Sequence, residues 1–179
     1  MNKNYFLVIA LLPMLLTGCG KEGLIGYEEE GLIEYEEEGV CENTQLIERL
    51  NSKAVKTLII GENSFVLEAY LCRDFMPSPD LDRDAMISIN RLTDINSVKI
   101  PDNIRMIQQY VIYGNSIWIA NYEKEERPSQ PAYIIEKISR NGPKWGPKVY
   151  VDVVSKVYDT NTNKIYYIKC KNAYIDRTD

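Results

Sequence analysis

The sequence predicts an all-β domain: an immunoglobulin- or transthyretin-like antiparallel sandwich of about eight short strands, with a short helix at its N-terminal end. Three observations predict it. Phe65, Leu67, Ala69, Leu71, Arg73 and Phe75 alternate with Val66, Glu68, Tyr70, Cys72 and Asp74, the period of a strand. Turn residues punctuate the chain at short intervals after residue 60. No βαβ rhythm is present, so a parallel sheet wrapped in helices is not expected.

The elements follow in order. Leu46, Ile47 and Leu50 fall on one face of a short helix, with Asn43 or Thr44 as its N-cap. Val55–Ile60 is a β-branched run. The alternating stretch from Phe65 to Phe75 is the next strand, ended by Pro77 and Pro79. Met86–Leu92 is another. Ile104–Tyr113 and Ser116–Tyr122 flank Gly114-Asn115, a two-residue hairpin signal. Ala132–Ser139 follows, and Asn141-Gly142-Pro143 and Gly146-Pro147 break the chain after it. Val149–Tyr158 and Ile165–Cys170 close the domain, separated by the turn Asp159–Asn163.

Three regions divide the chain: residues 1–18, 19–40 and 41–179. Residues 1–19 combine Lys3, the apolar run Tyr5–Leu16 and the small residues Thr17 and Gly18 before Cys19. A secretory leader has a basic start, an apolar stretch and a small-residue cleavage site. The run falls short of the roughly 20 apolar residues of a membrane span, and Pro13 interrupts it. Leu16-Thr17-Gly18-Cys19 resembles the lipobox of bacterial lipoproteins, which implies cleavage before Cys19 and lipidation of its thiol. One acyl chain holds a protein only marginally, at about 0.8 kcal/mol per buried CH₂, whereas two or more make the anchor lasting. Gly20, next to that cysteine, is not the aspartate that resembles an inner-membrane retention signal. The expected address is therefore the outer membrane, on its periplasmic face or at the cell surface.

Residues 23–30 and 31–38 are a tandem repeat, Gly-Leu-Ile-Gly-Tyr-Glu-Glu-Glu and Gly-Leu-Ile-Glu-Tyr-Glu-Glu-Glu. So short a repeat is low-complexity sequence, and its like charges favour an extended chain. It reads as a spacer with a reach of roughly 25 Å, as a surface-sorting signal, or as a tolerated expansion. Residues 20–40 carry one Lys against eight Glu, whereas residues 41–179 carry 19 Lys plus Arg against 18 Asp plus Glu. The acidic balance thus belongs to the spacer. The domain is near neutral, which argues against nucleic acid as a partner.

Within residues 64–179, several segments are similar to an uncharacterised family of small bacterial lipoproteins with a β-sandwich domain. They are Tyr70-Leu71-Cys72-Arg73-Asp74-Phe75-Met76-Pro77, Trp145-Gly146-Pro147 with Val151-Asp152-Val153-Val154, Tyr166-Tyr167-Ile168-Lys169, and Ile175-Asp176-Arg177-Thr178. The resemblance implies a sandwich fold and no particular activity. Cys72 stands where the family has tryptophan.

Little of the sequence points to catalysis. The chain has no histidine, which removes Ser-His-Asp and Cys-His arrangements, imidazole metal sites and the commonest general base. No Cys-x-x-Cys and no phosphate-cradling glycine loop is present. An enzyme is not expected, nor is a cofactor. Asp80, Asp82 and Asp84 have the spacing of a calcium loop but lack its glycine and its closing glutamate, so they read more readily as a solvated loop than as a calcium site. Cys41, Cys72 and Cys170 are an odd set, open to one bridge or to none. Arg73 falls in the apolar phase of its strand and needs a partner if buried. Asp152, among valines, is the candidate for an internal ion pair. Tyr150, Tyr158, Tyr166 and Tyr174 are either an aromatic surface or ordinary strand residues. Trp145 is either a loop anchor or an exposed contact.

Together these readings predict a lipid-anchored envelope module with a binding or structural role. The bilayer, reached through Cys19, is one partner and an envelope protein another. Two alternatives are a protective or inhibitory lipoprotein directed at a toxin or hydrolase, and an envelope hydrolase working without histidine.

Overall fold

A computed structural model describes residues 25–27, 32–76, 84–122 and 130–179. The leader, Cys19, Asp80 and Asp82 lie outside the described residues. Strands β1 (Ile25–Tyr27) and β2 (Leu32–Glu34) precede β3 (Gly39–Glu42) and helix α1 (Thr44–Lys53). Then come β4 (Thr57–Ile60), β5 (Asn63–Asp74), β6 (Met86–Asp94), β7 (Ile104–Tyr113) and β8 (Ser116–Asn121). The chain ends in β9 (Ile134–Gly142), β10 (Tyr150–Asp159) and β11 (Lys164–Thr178).

The domain is all-β with one short helix. Strands β3 to β11 share one curled sheet, in the order β3-β8-β7-β10-β11-β5-β6-β9, with β4 also paired to β5. The pairing is antiparallel except between β11 and β5, which run parallel from Ile175↔Leu71 to Thr178↔Asp74. The finer immunoglobulin or transthyretin type does not follow from this order. β1 and β2 form a separate two-stranded sheet in which the two repeat copies face each other, Ile25 opposite Glu34 and Tyr27 opposite Leu32.

Alternation explains the curl. One face of nearly every strand supplies the main core, including Phe65, Leu71, Met86, Leu92, Val111, Trp118, Val153 and Ile175. Enclosing these side chains draws the ends of the sheet together. The Ser139 hydroxyl of β9 donates to the Asn121 carbonyl of β8 at 3.2 Å. At Gly142 the ring of Trp118 comes so close that an added Cβ would lie 2.6 Å from it. The opposite face of β7, β8 and β10 carries a second core of Tyr110, Ile112, Ile117, Ile119 and Val154, capped by Leu46, Ile47, Leu50 and Ala54. The helix starts at Asn43, whose Oδ1 accepts the Leu46 amide at 2.9 Å.

Two bulges re-aim side chains. Between β7 and β10, Lys156 pairs with Gln108 but Val157 pairs with Met106, so Ile107 is the extra residue. Ile104 and Met106 therefore face the main core, whereas Gln108, Tyr110 and Ile112 face outward. Between β10 and β11 the register shifts between Val151 and Val153, and Asn172 takes a positive φ of 56°. That bulge carries β11 past Cys170, where the sequence ends the strand, to Thr178.

Candidate functional site

The bulge at Ile107 places three polar side chains together on the outer face: Gln108, Tyr110 and, across the pairing, Lys156. All three are buried, Lys156 to 2 % exposure. A buried ammonium without a partner is strongly disfavoured. The partner here is Glu36, from the acidic repeat. Its Oε2 accepts from Lys156 Nζ at 2.9 Å and from the Tyr110 hydroxyl at 2.5 Å, while its Oε1 accepts from Arg49 on α1 at 2.9 Å.

Gln108 reads the backbone of the same residue. Its Nε2 donates to the Glu36 carbonyl at 2.7 Å and its Oε1 accepts the Glu36 amide at 3.3 Å, the two-point pairing a neighbouring strand would offer. Gln108 Nε2 also donates to Asn121 Oδ1 at 3.0 Å, which fixes the amide's orientation. The Tyr35 ring lies 5.9 Å from Lys156 Nζ. Glu38 Oε1 accepts the Asn121 amide at 2.6 Å, and β3 then pairs with β8 from Gly39↔Ile119 to Glu42↔Ser116. Residues 35–42 are thus gripped continuously.

The electrostatics favour a charged carboxylate. Burial pushes the Glu36 acid up, but the hydrogen bonds from Tyr110 and Lys156 and the Lys156 charge outweigh it, leaving Glu36 below the ordinary glutamate range. Burial, then the adjacent Glu36 charge, pushes the Tyr110 hydroxyl far above the ordinary tyrosine range, so it remains a donor. The arrangement is a clasp for a glutamate in an extended chain.

Sequence reasoning missed this site because a glutamate run reads as solvated spacer. Residues 35–40, assigned to that spacer, lie against the domain. The legible signal lay on the receptor side. Gln108 and Lys156 are long polar side chains in the middle of strands rich in Ile, Val and Tyr.

The residues singled out from sequence take other places. Arg73 is buried, at 6 % exposure, and is paired, but not with Asp152. Its guanidinium donates to the Asp84 carbonyl at 2.8 Å, the Lys144 carbonyl at 2.9 Å, the Gly146 carbonyl at 2.6 Å and Asp84 Oδ2 at 2.6 Å. Asp152 instead accepts the Asn172 amide at 3.0 Å and caps the β10–β11 bulge, on the face turned away from Arg73. Asp84 is also bridged by Lys144 at 2.6 Å, and the hydrogen bonds from Lys144 and Arg73 hold its carboxyl below the usual aspartate range. Among the described residues no group of three or more acidic, cysteine or histidine side chains is placed to hold a metal.

Trp145 is half-buried against the main core, 5.6 Å from the Tyr113 ring. Tyr150, Tyr158, Tyr166 and Tyr174 do not form one surface. Tyr150 and Tyr174 face each other across two strands at 5.2 Å and are exposed. Tyr158 is buried with its hydroxyl donating to Asn163, and Tyr166 packs on the main core. Cys72 and Cys170 are free thiols and Cys41 is disulfide-bonded, so no bridge joins any two of these three. Burial pushes both free thiols up, making them poor nucleophiles at neutral pH.

No family model, no curated protein and no solved structure matches the chain.

Proposed function

We propose that this chain is a bacterial envelope protein anchored by lipid on Cys19, and that its all-β domain is a binding or structural module rather than an enzyme. The leader pattern ending in Leu-Thr-Gly-Cys supports the anchor, and Gly20 supports the outer membrane as its site. Lys156 supports the module reading. The most deeply buried cation among the described residues grips the leash itself. A leash held along residues 35–42 fixes where the membrane attachment meets the domain and so orients the opposite face. A free leash would leave the domain to tumble. The binding partner in this reading is an envelope protein met by that oriented surface.

The test has two parts. Wild type labels with palmitate and fractionates with membranes, and Cys19→Ala does neither. A Cys19→Ala protein that still labels and sediments with membranes overturns the anchor. With Cys72 and Cys170 free, a Cys41 bridge within the chain would take the Cys19 sulfur, so the anchor requires Cys41 to be reduced, or bridged to another chain, in the lipidated protein. An intact mass lacking lipid that gains two hydrogens on reduction, with the gain abolished in Cys41→Ser, therefore overturns it too. For the module, crosslinking in intact membranes followed by pull-down is expected to recover a stoichiometric envelope protein. Turnover of a hydrolase substrate panel by the purified domain would sink this reading in favour of an enzyme.

A further inference from the structure

The clasp makes a short set of demands on the segment it holds. It needs a tyrosine over Lys156, a glutamate next in line for Lys156, Tyr110 and Arg49, and a second glutamate two residues on for the Asn121 amide. It then needs a residue that tolerates a φ of +138°, the value at Gly39, followed by an extended run to pair with β8. Tyr35, Glu36, Glu38, Gly39 and Val40-Cys41-Glu42 meet them. So does the segment eight residues earlier: Tyr27, Glu28, Glu30, Gly31 and Leu32-Ile33-Glu34. The match includes the glycine, which a positive φ favours over any side chain. It departs at one position: Cys41, disulfide-bonded in the observed register, packs on the outer core, where Ile33 offers an apolar side chain but no sulfur.

From this match we infer that the clasp takes either copy of the repeat, so that residues 27–34 exchange with residues 35–42 and the leash has two lengths. In the exchanged register Gly31–Glu34 pairs with β8, Glu28 meets Lys156, and residues 35–42 loop out before Asn43, the cap of α1. Closing a loop of that size adds little, since the entropic cost grows only with the logarithm of length. The free leash becomes eight residues shorter, up to about 27 Å of extended chain. The β1–β2 pairing is given up in exchange, because β2 becomes the strand on β8. This inference rests on the clasp and is independent of the lipid anchor.

Zero-length carbodiimide coupling of the full chain, followed by peptide mass mapping, tests it, because the coupling joins Lys156 to whichever glutamate it contacts. Wild type is expected to give a Lys156–Glu36 product and a minor Lys156–Glu28 product, both at monomer mass. Glu36→Gln is expected to give Lys156–Glu28 as the main product and to melt close to wild type. Glu28→Gln/Glu36→Gln loses both products and melts lower. A Glu36→Gln protein that gives no Glu28 product and melts like the double variant overturns the exchange while leaving the clasp intact. A Glu28 product found only at dimer mass also overturns it, by assigning that segment to a second chain. Absence of the Glu36 product in wild type overturns the clasp itself.

Discussion

Lys156 Nζ and the Glu36 carboxylate meet at 2.9 Å across 120 residues of chain, joining the middle of β10 to the acidic repeat. The pair is asymmetric, since Lys156 is 2 % exposed and the Glu36 side chain 19 %. Removing the cation strands a partly buried carboxylate, and breaking a buried pair this way costs about 3 kcal/mol at the low end of such measurements. Lys156→Met is therefore expected to lower the denaturation midpoint by a stability change of about that size. It is also expected to release residues 35–42, seen as loss of hydrogen-exchange protection at the Asn121 amide. Retained protection with unchanged stability would show that the repeat is not held through this pair.

The same pair sets a pH dependence. The Glu36 acid is below its ordinary range in the folded state. A depressed carboxyl contributes stability that is fully present above the ordinary glutamate value of about 4.3 and is lost as pH falls through the folded value. In Lys156→Met the charge and hydrogen bond that depress it are gone. The stability gap between wild type and Lys156→Met should therefore be widest near neutral pH and should narrow as pH falls below about 4. Denaturation series at stepped pH measure this directly. A gap constant down to pH 3, roughly a unit below the ordinary glutamate value, would mean that the carboxylate charge is not what Lys156 holds.

The sequence shows its strands more readily than its contacts. Period-two alternation marks β5, and Gly114-Asn115 marks the β7–β8 hairpin, because both signals are local. Bulges are not local signals. Nothing near Ile107 announces that Met106 and Gln108 fall on opposite faces, and that flip is what assembles the clasp. The parallel pairing of β11 with β5 is equally hidden, since it depends on a strand continuing through Asn172. Composition also misled at residues 35–40. A glutamate run is solvated by default, and only a buried lysine far along the chain reverses that.

Arg73 illustrates the same limit, because its burial was legible and its partner was not. Its guanidinium ties three carbonyls and Asp84 into one knot that fastens the β9–β10 loop to the end of β5. Lysine cannot reproduce a planar fork of donors. Arg73→Lys should cost about 2–4 kcal/mol, as expected when buried acceptors lose charged donors. Asp152→Ala removes one exposed cap on the bulge and should cost about 1 kcal/mol or less. Paired thermal melts of the two variants decide between them. Equal losses, or a larger loss at Asp152, would contradict the assignment of Asp84 as the partner of Arg73.

Gly142 tests the closure of the curled sheet. A Cβ there would lie 2.6 Å from one Trp118 ring carbon and 2.7 Å from the next, and 3.0 Å from the Met86 carbonyl. Trp118 is itself buried in the main core, so its ring has little room to retreat. Overpacking a well-filled core costs about 1–3 kcal/mol. Gly142→Ala should fall in that range and should shift the Trp118 emission, because the ring must move or the β8–β9 seam must open. The Gly142→Ala/Trp118→Leu double variant separates the clash from a backbone effect. With the ring removed, the added methyl should cost less than it does in wild type, a coupling that only residues in contact show. Strict additivity of the two changes would place β9 away from Trp118 and the sheet would then be open at that edge.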